Sequence, residues 1–297
     1  MYRIIQTQLK QPQFDSFTEF SQAALAHDKV NSLHGTLSIA LRATSIGQAF
    51  SMAYRSALQA LLPNLNPQQW AAMCVTEVKG NHPKQLTTQV TTNGVVTGGK
   101  SFVTMGEQAQ QLIVVAKADE PQASHVNRPT LKAVLLQQST KGIQIHALEN
   151  MKLVPDVPHA SMQLDGAQGV ILPGDGHTDY SKRFRYLEDI HVLISFVALI
   201  LSTSVRNGLP SKISEQCILL ISALLSQKLQ DEPWQHLHLA EAFKNFELIA
   251  LEFEGSFELL PQVFKDNWLR DKKLFSLANK ARQARAEKAR AWLAKSL

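Results

Sequence analysis

The chain is short of the features that mark several protein classes. Only two of its 297 residues are cysteine, Cys74 and Cys217, far apart and each set among apolar neighbours. Two such thiols make neither a disulfide framework nor a metal set, and they read as buried side chains in a reducing compartment. No apolar run is long. The longest, VLISFVALIL at 192–201, falls well short of the roughly 20 residues that a bilayer span takes. The opening MYRIIQTQLKQPQF has no apolar core of the kind a signal peptide carries. Together these absences give the expectation of a cytoplasmic protein, with no membrane partner and with its most apolar segment buried in a helical bundle. Charge is also modest: 19% of residues are charged and the formal net charge is +5, against a hydrophobic content of 44%. That composition excludes a mainly disordered chain. The small positive excess suits anionic ligands without demanding nucleic acid.

Three textures follow one another. Residues 1–72 read as a short N-terminal helical region, in which FTEFSQAALAHD and GQAFSMAYRSALQALLP carry apolar residues three and four apart. Pro63 and the NLNPQQ stretch close it. In residues 73–175, β-branched and polar residues alternate in short stretches such as QLTTQVTT, QLIVVAKA and IQIHALEN, punctuated by Gly, Asn and Pro. The Asn93-Gly94 pair is a hairpin signal. Six or seven such strands predict an antiparallel β-barrel or sandwich. Residues 176–297 return to helix, in four segments near 180–207, 211–229, 233–260 and 264–295, broken at LPSK and DEP. Short loops between long helices predict a four-helix bundle. The class is therefore α+β, with no internal repeat.

The residues of the middle region resemble those of the acyl-CoA dehydrogenase family. MCVTEVKG looks like that family's strand ending in Thr-Glu before a Gly-rich loop, and VVTGGKSFVTMGEQAQQLIVVAKAD resembles its hairpin and following apolar strand. LKAVLLQQSTKGIQIHAL and PHASMQLDGAQGVILPGDG are similar to its later strands and its exit into the bundle. The likeness is good over about residues 45–210 and weaker in the last three helices. It implies an FAD between the β-domain and the bundle, an acyl-CoA thioester as substrate, a glutamate that removes the α-proton, and homo-oligomers formed through the bundle.

Carried over position by position, Thr104 falls on the threonine that bonds the flavin near N5, and Phe102 on the aromatic packed against the ring, which is usually Trp. Thr76 matches the residue on the pyrimidine side; Glu77, beside it, reads simply as a solvated charge at a strand end. A half-buried strand accounts for Phe102 and Val103 without any flavin. After Thr-Glu the family typically has Pro-Gly-x-Gly-Ser-Asp, whereas this chain has Val78-Lys79-Gly80-Asn81-His82-Pro83. Lys79, His82 and Lys84 are open to two readings, a phosphate contact or a solvated loop, and the second is the simpler. The best candidate base is Glu188, in the step Leu187-Glu188-Asp189 where some members have Leu-Glu-Arg; a polar helix start explains the same residues. Glu254 stands in a Glu-Gly-Ser triplet inside a stretch that reads as a continuous helix and is the weaker candidate.

Other departures are plain. No Arg-x-x-Phe-Gly step opens the second bundle helix, where Lys212 is a weak substitute, and the N-terminal region is shorter than the family's. His236 and His238 have no metal-ligand spacing, so no metal is expected. The tail KARQARAEKARAWL reads as a solvated bundle helix rather than a nucleic-acid surface. Three functions remain open on these residues: an FAD-dependent oxidoreductase acting on a thioester, a non-catalytic relative that binds a ligand or partner, and a flavin-dependent monooxygenase-type relative without the catalytic glutamate.

Overall fold

The computed structural model of the chain describes residues 1–27, 32–119, 129–227, 229–230 and 232–296. They form two compact units, one of residues 1–57, 152–156 and 186–297, the other of residues 58–151 and 157–185.

The first unit is helical. It is built from α1 (Tyr2–Leu9), α2 (Phe17–Leu25), α3 (Leu33–Ala40) and most of α4 (Ile46–Leu61), and later from α5 (Arg183–Arg206), α6 (Ser211–Leu225), α7 (Pro233–Glu254), α8 (Gln262–Asp271) and α9 (Asn279–Ser296). Serine caps start two of these helices: Ser16 Oγ accepts the Glu19 N–H at 3.1 Å, and Ser32 Oγ accepts that of Gly35 at 3.0 Å. Pro233 sits in the first turn of α7, where its missing N–H costs nothing. The helical stretch containing α5 is long and apolar enough to cross a membrane by composition, but 89% of its most apolar window is buried inside the protein. Below it lies an aromatic cluster, with Phe196–Phe275 at 4.7 Å, Phe253–Trp268 at 4.9 Å and Phe246–Phe275 at 5.0 Å between ring centroids. Each such pair adds about 0.5–1.5 kcal/mol beyond its buried area.

The fourth expected bundle segment is two helices. Between α8 and α9 the chain tightens into a 3₁₀ turn at Lys272–Ser276, although no Gly or Pro stands there. Tertiary bonds set the break. Asp271 is fully buried and accepts from the Val154 N–H (2.8 Å) and from Arg270, while Arg282 donates to the Phe275 carbonyl, one of those a helix end leaves unpaired. Arg282 also donates to Asp189 (2.9 Å) and lies 3.9 Å over the Phe243 ring; Arg285 bonds the second Asp189 oxygen. Asp189 is therefore not a solvated helix-start residue but a buried anchor that fixes α9 on α5.

The second unit is one curled, mixed sheet of β1 (Trp70–Cys74), β2 (Gln89–Val90), β3 (Val95–Thr104), β4 (Ala109–Ala118), β5 (Leu131–Gln137), β6 (Ile143–Ala147), β7 (His159–Gln168) and β8 (Val170–Ile171). The order is β6-β7-β3-β2-β4-β5-β8, with β1 also on β4. Antiparallel pairs dominate, as the hairpin pattern predicts, but β1 and β2 both run parallel to β4. The β2–β3 hairpin turns at Asn93-Gly94, with Gly94 at φ +87° and the Thr91 N–H bonded to the Val95 carbonyl. Gly98 has φ +139°, and a Cβ there would fall 2.7 Å from Thr88 Cα, so β3 passes Thr88 only as glycine.

Removing Asp189 leaves two guanidiniums facing a buried site. Asp189→Ala is expected to cost about 3–5 kcal/mol in urea unfolding. Glu241→Ala, which breaks the exposed pair with Lys244, is expected to leave the urea midpoint unchanged.

Candidate functional site

The candidate residues of the sheet converge on a bulge. Between the pairs Lys100–Met162 and Val103–Ala160, β3 carries one residue more than β7, so Ser101 and Phe102 stand where β7 has Ser161 alone. A bulge re-aims a side chain. Phe102 is 37% exposed, and its ring lies 4.6 Å from that of His159. His159 is the direct cross-strand partner of Thr104, so Phe102, Thr104 and His159 share one face. The Ser101 N–H (2.9 Å) and hydroxyl (3.3 Å) donate to the Thr76 carbonyl, which places Thr76 against the bulge. Neither the Thr76 nor the Thr104 hydroxyl makes a hydrogen bond among the described residues.

His159 was not visible as a site residue in the sequence. Only the β3–β7 register brings it to Phe102. It is buried, its Nδ1 lies 2.9 Å from the Val157 carbonyl, and burial holds its pKa below the usual range. The ring is neutral near pH 7, with Nδ1–H donating to Val157 and Nε2 left as an acceptor.

Glu77 is not a solvated strand-end charge. It is 5% exposed. One carboxylate oxygen accepts the Thr87 N–H and hydroxyl, both at 2.6 Å; the other accepts Lys100 Nζ at 2.7 Å and the Thr88 N–H at 3.1 Å. Lys100 is as buried, and it also donates to the carbonyls of Val115 (2.7 Å) and Val75 (3.4 Å). Burial alone raises the Glu77 pKa, but the bonds from Lys100, Thr87 and Thr88 outweigh it and bring the carboxyl down to about 2. The Glu77 backbone exchanges two bonds with Gly80, at 3.0 and 2.8 Å, and Gly80 has φ +116°. The loop that departs from the family pattern therefore begins and ends on Glu77.

The remaining candidates lie in the helical unit. Glu188 stands in α5, half-buried, one residue before the anchored Asp189. Glu254 ends α7; it accepts from Trp268 Nε1 (2.9 Å) and pairs with Lys272 (2.7 Å), which gives it a structural role. Lys212 pairs with Glu252 at 2.9 Å. His236 meets the Tyr186 ring edge-on, and His238 lies 3.3 Å from Gln227. Among the described residues no three His, Cys, Asp or Glu side chains are grouped for a metal ion. Burial pushes both thiols up to about 12 (Lys100 opposes this at Cys74), so neither is a nucleophile.

No protein-family model matches the sequence, and no curated protein matches it. Solved structures do. An FAD-dependent dehydrogenase aligns over 99% of this chain and 97% of its own, with a TM-score of 0.73 and 15% identity. Butyryl-CoA dehydrogenase from Megasphaera elsdenii aligns over 97% and 93%, with a TM-score of 0.70 and 14% identity. The FAD complex of PigA aligns over 96% and 92%, with a TM-score of 0.63 and 13% identity. The chain has the acyl-CoA dehydrogenase fold. At these identities the likeness speaks for architecture alone.

The Glu77–Lys100 pair has a pH signature. The folded carboxyl is held at about 2 against an ordinary 4.5, so its contribution to stability is present above the ordinary value and is lost as pH falls towards 2. Glu77→Gln is expected to flatten that acid limb in urea titrations from neutral to acid pH. Lys100→Met, which leaves the carboxylate buried and unpaired, is expected to cost about 3–5 kcal/mol at pH 7.

Proposed function

We propose that the chain is an FAD-dependent oxidoreductase that oxidises a CH–CH bond next to a thioester carbonyl, with an acyl-CoA or a related thioester as substrate. The observation that carries this reading is the bulge of β3: an aromatic face at Phe102, braced by His159 and flanked by two threonine hydroxyls that make no hydrogen bond among the described residues. That donor set fits a flat heteroaromatic ring with a polar edge. Phe102 covers the ring, and Thr104 and Thr76 offer hydrogen bonds to its rim. His159 keeps Phe102 from turning away. Bound FAD supplies the hydride acceptor. Glu188 takes the α-proton on its carboxylate, and its half-buried place at the start of α5 gives the partly dry surroundings a general base needs. The anchored Asp189 fixes the rotation of α5 and with it the direction of Glu188.

The reading includes a cytoplasmic homo-oligomer. Leu219 of α6 and Leu248 of α7 stand 70% and 66% exposed on a groove that also contains Ala223 and Ile249, and Leu251 of α7 is 69% exposed. Such a patch favours self-association through the helical unit.

One observation favours a second reading, a non-catalytic ligand-binding protein. The loop after Glu77 lacks the family's Ser-Asp step, and Glu77 is wholly engaged in holding the loop's own backbone and Lys100.

The two readings separate in one titration. FAD affinity is expected to fall about tenfold or more in Phe102→Ala and in Thr104→Val, read by flavin fluorescence. Acyl-CoA added without oxygen is expected to bleach the bound flavin, and Glu188→Gln is expected to abolish the bleaching while FAD stays bound. Retained FAD that no acyl-CoA bleaches would favour the second reading.

A further inference from the structure

Between β6 and β7 the chain makes a detour. Residues 152–156 belong to the helical unit, although the residues before and after them belong to the sheet unit. Within this strap Val154 is bent to φ +42°. A positive φ crowds the Cβ of any L residue, and a β-branched side chain most of all. Pro155 follows and narrows the backbone of Val154 further. Val154 is also buried.

Two carboxylates hold the bend. Asp271, fully buried at the end of α8, accepts the Val154 N–H on Oδ1 at 2.8 Å. Arg270 donates to both oxygens of Asp271, at 2.8 and 2.6 Å, and matches its charge. Two residues after Val154, Asp156 Oδ2 accepts the Ser45 hydroxyl at 2.6 Å. Ser45 in turn accepts the Gln48 N–H at 3.0 Å in the first turn of α4. Asp156 Oδ1 is buried and makes no hydrogen bond among the described residues. It rests against Gly47, where a Cβ would fall 2.2 Å from it.

The closed strap thus carries two costs, a positive φ at a branched residue and a buried carboxylate oxygen with no donor. A glycine at position 154 and any hydrogen-bond donor beside Asp156 would remove both. Strain of this kind persists only where the surroundings impose it. Here they do so through one bond at each end of a short segment. Breaking either bond lets Val154 return to negative φ and lets Asp156 reach water. The strap therefore opens at a smaller cost than the unfolding of the helices that hold it. It closes three residues ahead of His159, the side chain that braces Phe102.

We propose that residues 152–156 form a strained latch. Closed, it is pinned by Asp271 at Val154 and by Ser45 at Asp156. Open, it leaves α4, α5 and α8 folded and relieves both costs. Gly47 belongs to the same device, because only a residue without a Cβ lets the Asp156 carboxylate seat on the first turn of α4.

Hydrogen exchange of the full chain, read by mass spectrometry in peptides from the strap and from α5, tests the latch without reference to any cofactor. Strap amides are expected to exchange through a local opening, at rates that low urea barely changes, while those of α5 follow global unfolding. Two substitutions then run against their ordinary order. Gly→Ala ordinarily strengthens a helix, yet Gly47→Ala is expected to speed strap exchange about tenfold, because the new Cβ displaces Asp156. Ala is ordinarily easier to order than Gly, yet the strap of Val154→Gly is expected to exchange about threefold more slowly than that of Val154→Ala, because glycine alone takes the positive φ freely. Both Val154 variants lose the branched methyls, so that loss cancels in the comparison. Ser45→Ala, which removes the bond to Asp156, repeats the test if Gly47→Ala does not fold, and is also expected to speed strap exchange. Strap amides that exchange only together with α5 overturn the latch. So does a Val154→Gly strap that exchanges as fast as that of Val154→Ala, or unchanged strap exchange in the folded Gly47 or Ser45 variant.

Discussion

The Glu77 carboxylate receives four hydrogen bonds from three residues of the sheet unit, and much of the unit's irregular architecture hangs on it. Lys100 comes from the middle of β3, Thr87 and Thr88 from the approach to β2, and the Glu77 backbone closes the turn at Gly80. A buried carboxylate of this kind is tolerable only when every lone pair is engaged, and here the engagement serves the fold. The residue after Lys100 begins the bulge, and Ser101 then bonds the carbonyl of Thr76, the residue before Glu77. The ion pair and the exposed Phe102 are therefore two ends of one construction. Lys100 stays in, paired with Glu77, and the extra residue of the bulge turns Phe102 out.

The helical unit solves a similar problem with another ion network. Asp189 would be an unfavourable choice on a buried helix face by itself. With Arg282 and Arg285 it becomes the link between α5 and α9, and Arg282 also satisfies the Phe275 carbonyl where the helix between α8 and α9 is interrupted. One guanidinium thus accounts for a helix break, a buried acid and a cation–π contact over Phe243. In both units the chain places its rigid, polar anchors immediately beside the residues put forward for chemistry, Phe102 near Lys100 and Glu188 next to Asp189. Anchors of that kind hold a neighbouring side chain in a fixed direction.

What could be read from the sequence was what is local. The Asn93-Gly94 hairpin announces itself because turn geometry demands those residues, and the apolar run at 192–201 forms a buried helix because its period and length leave no other place for it. Pairing was not legible. Glu77 reads as a solvated charge as long as Lys100, 23 residues on, is not known to lie beneath it. His159 meets Phe102 through a register that no periodicity reveals. The parallel pairing of β1 and β2 with β4 runs against the hairpin pattern for the same reason. The break after α8 carries no Gly or Pro, since distant side chains impose it.

The central claim is that the edge formed by Thr76, Phe102 and Thr104 holds a flavin. The absorbance spectrum of the purified chain, taken after saturation with FAD and passage over a gel-filtration column, tests it most directly. The account predicts a yellow protein carrying one flavin per chain, with the flavin bands shifted by the apolar face of Phe102. A colourless protein after saturation would contradict it.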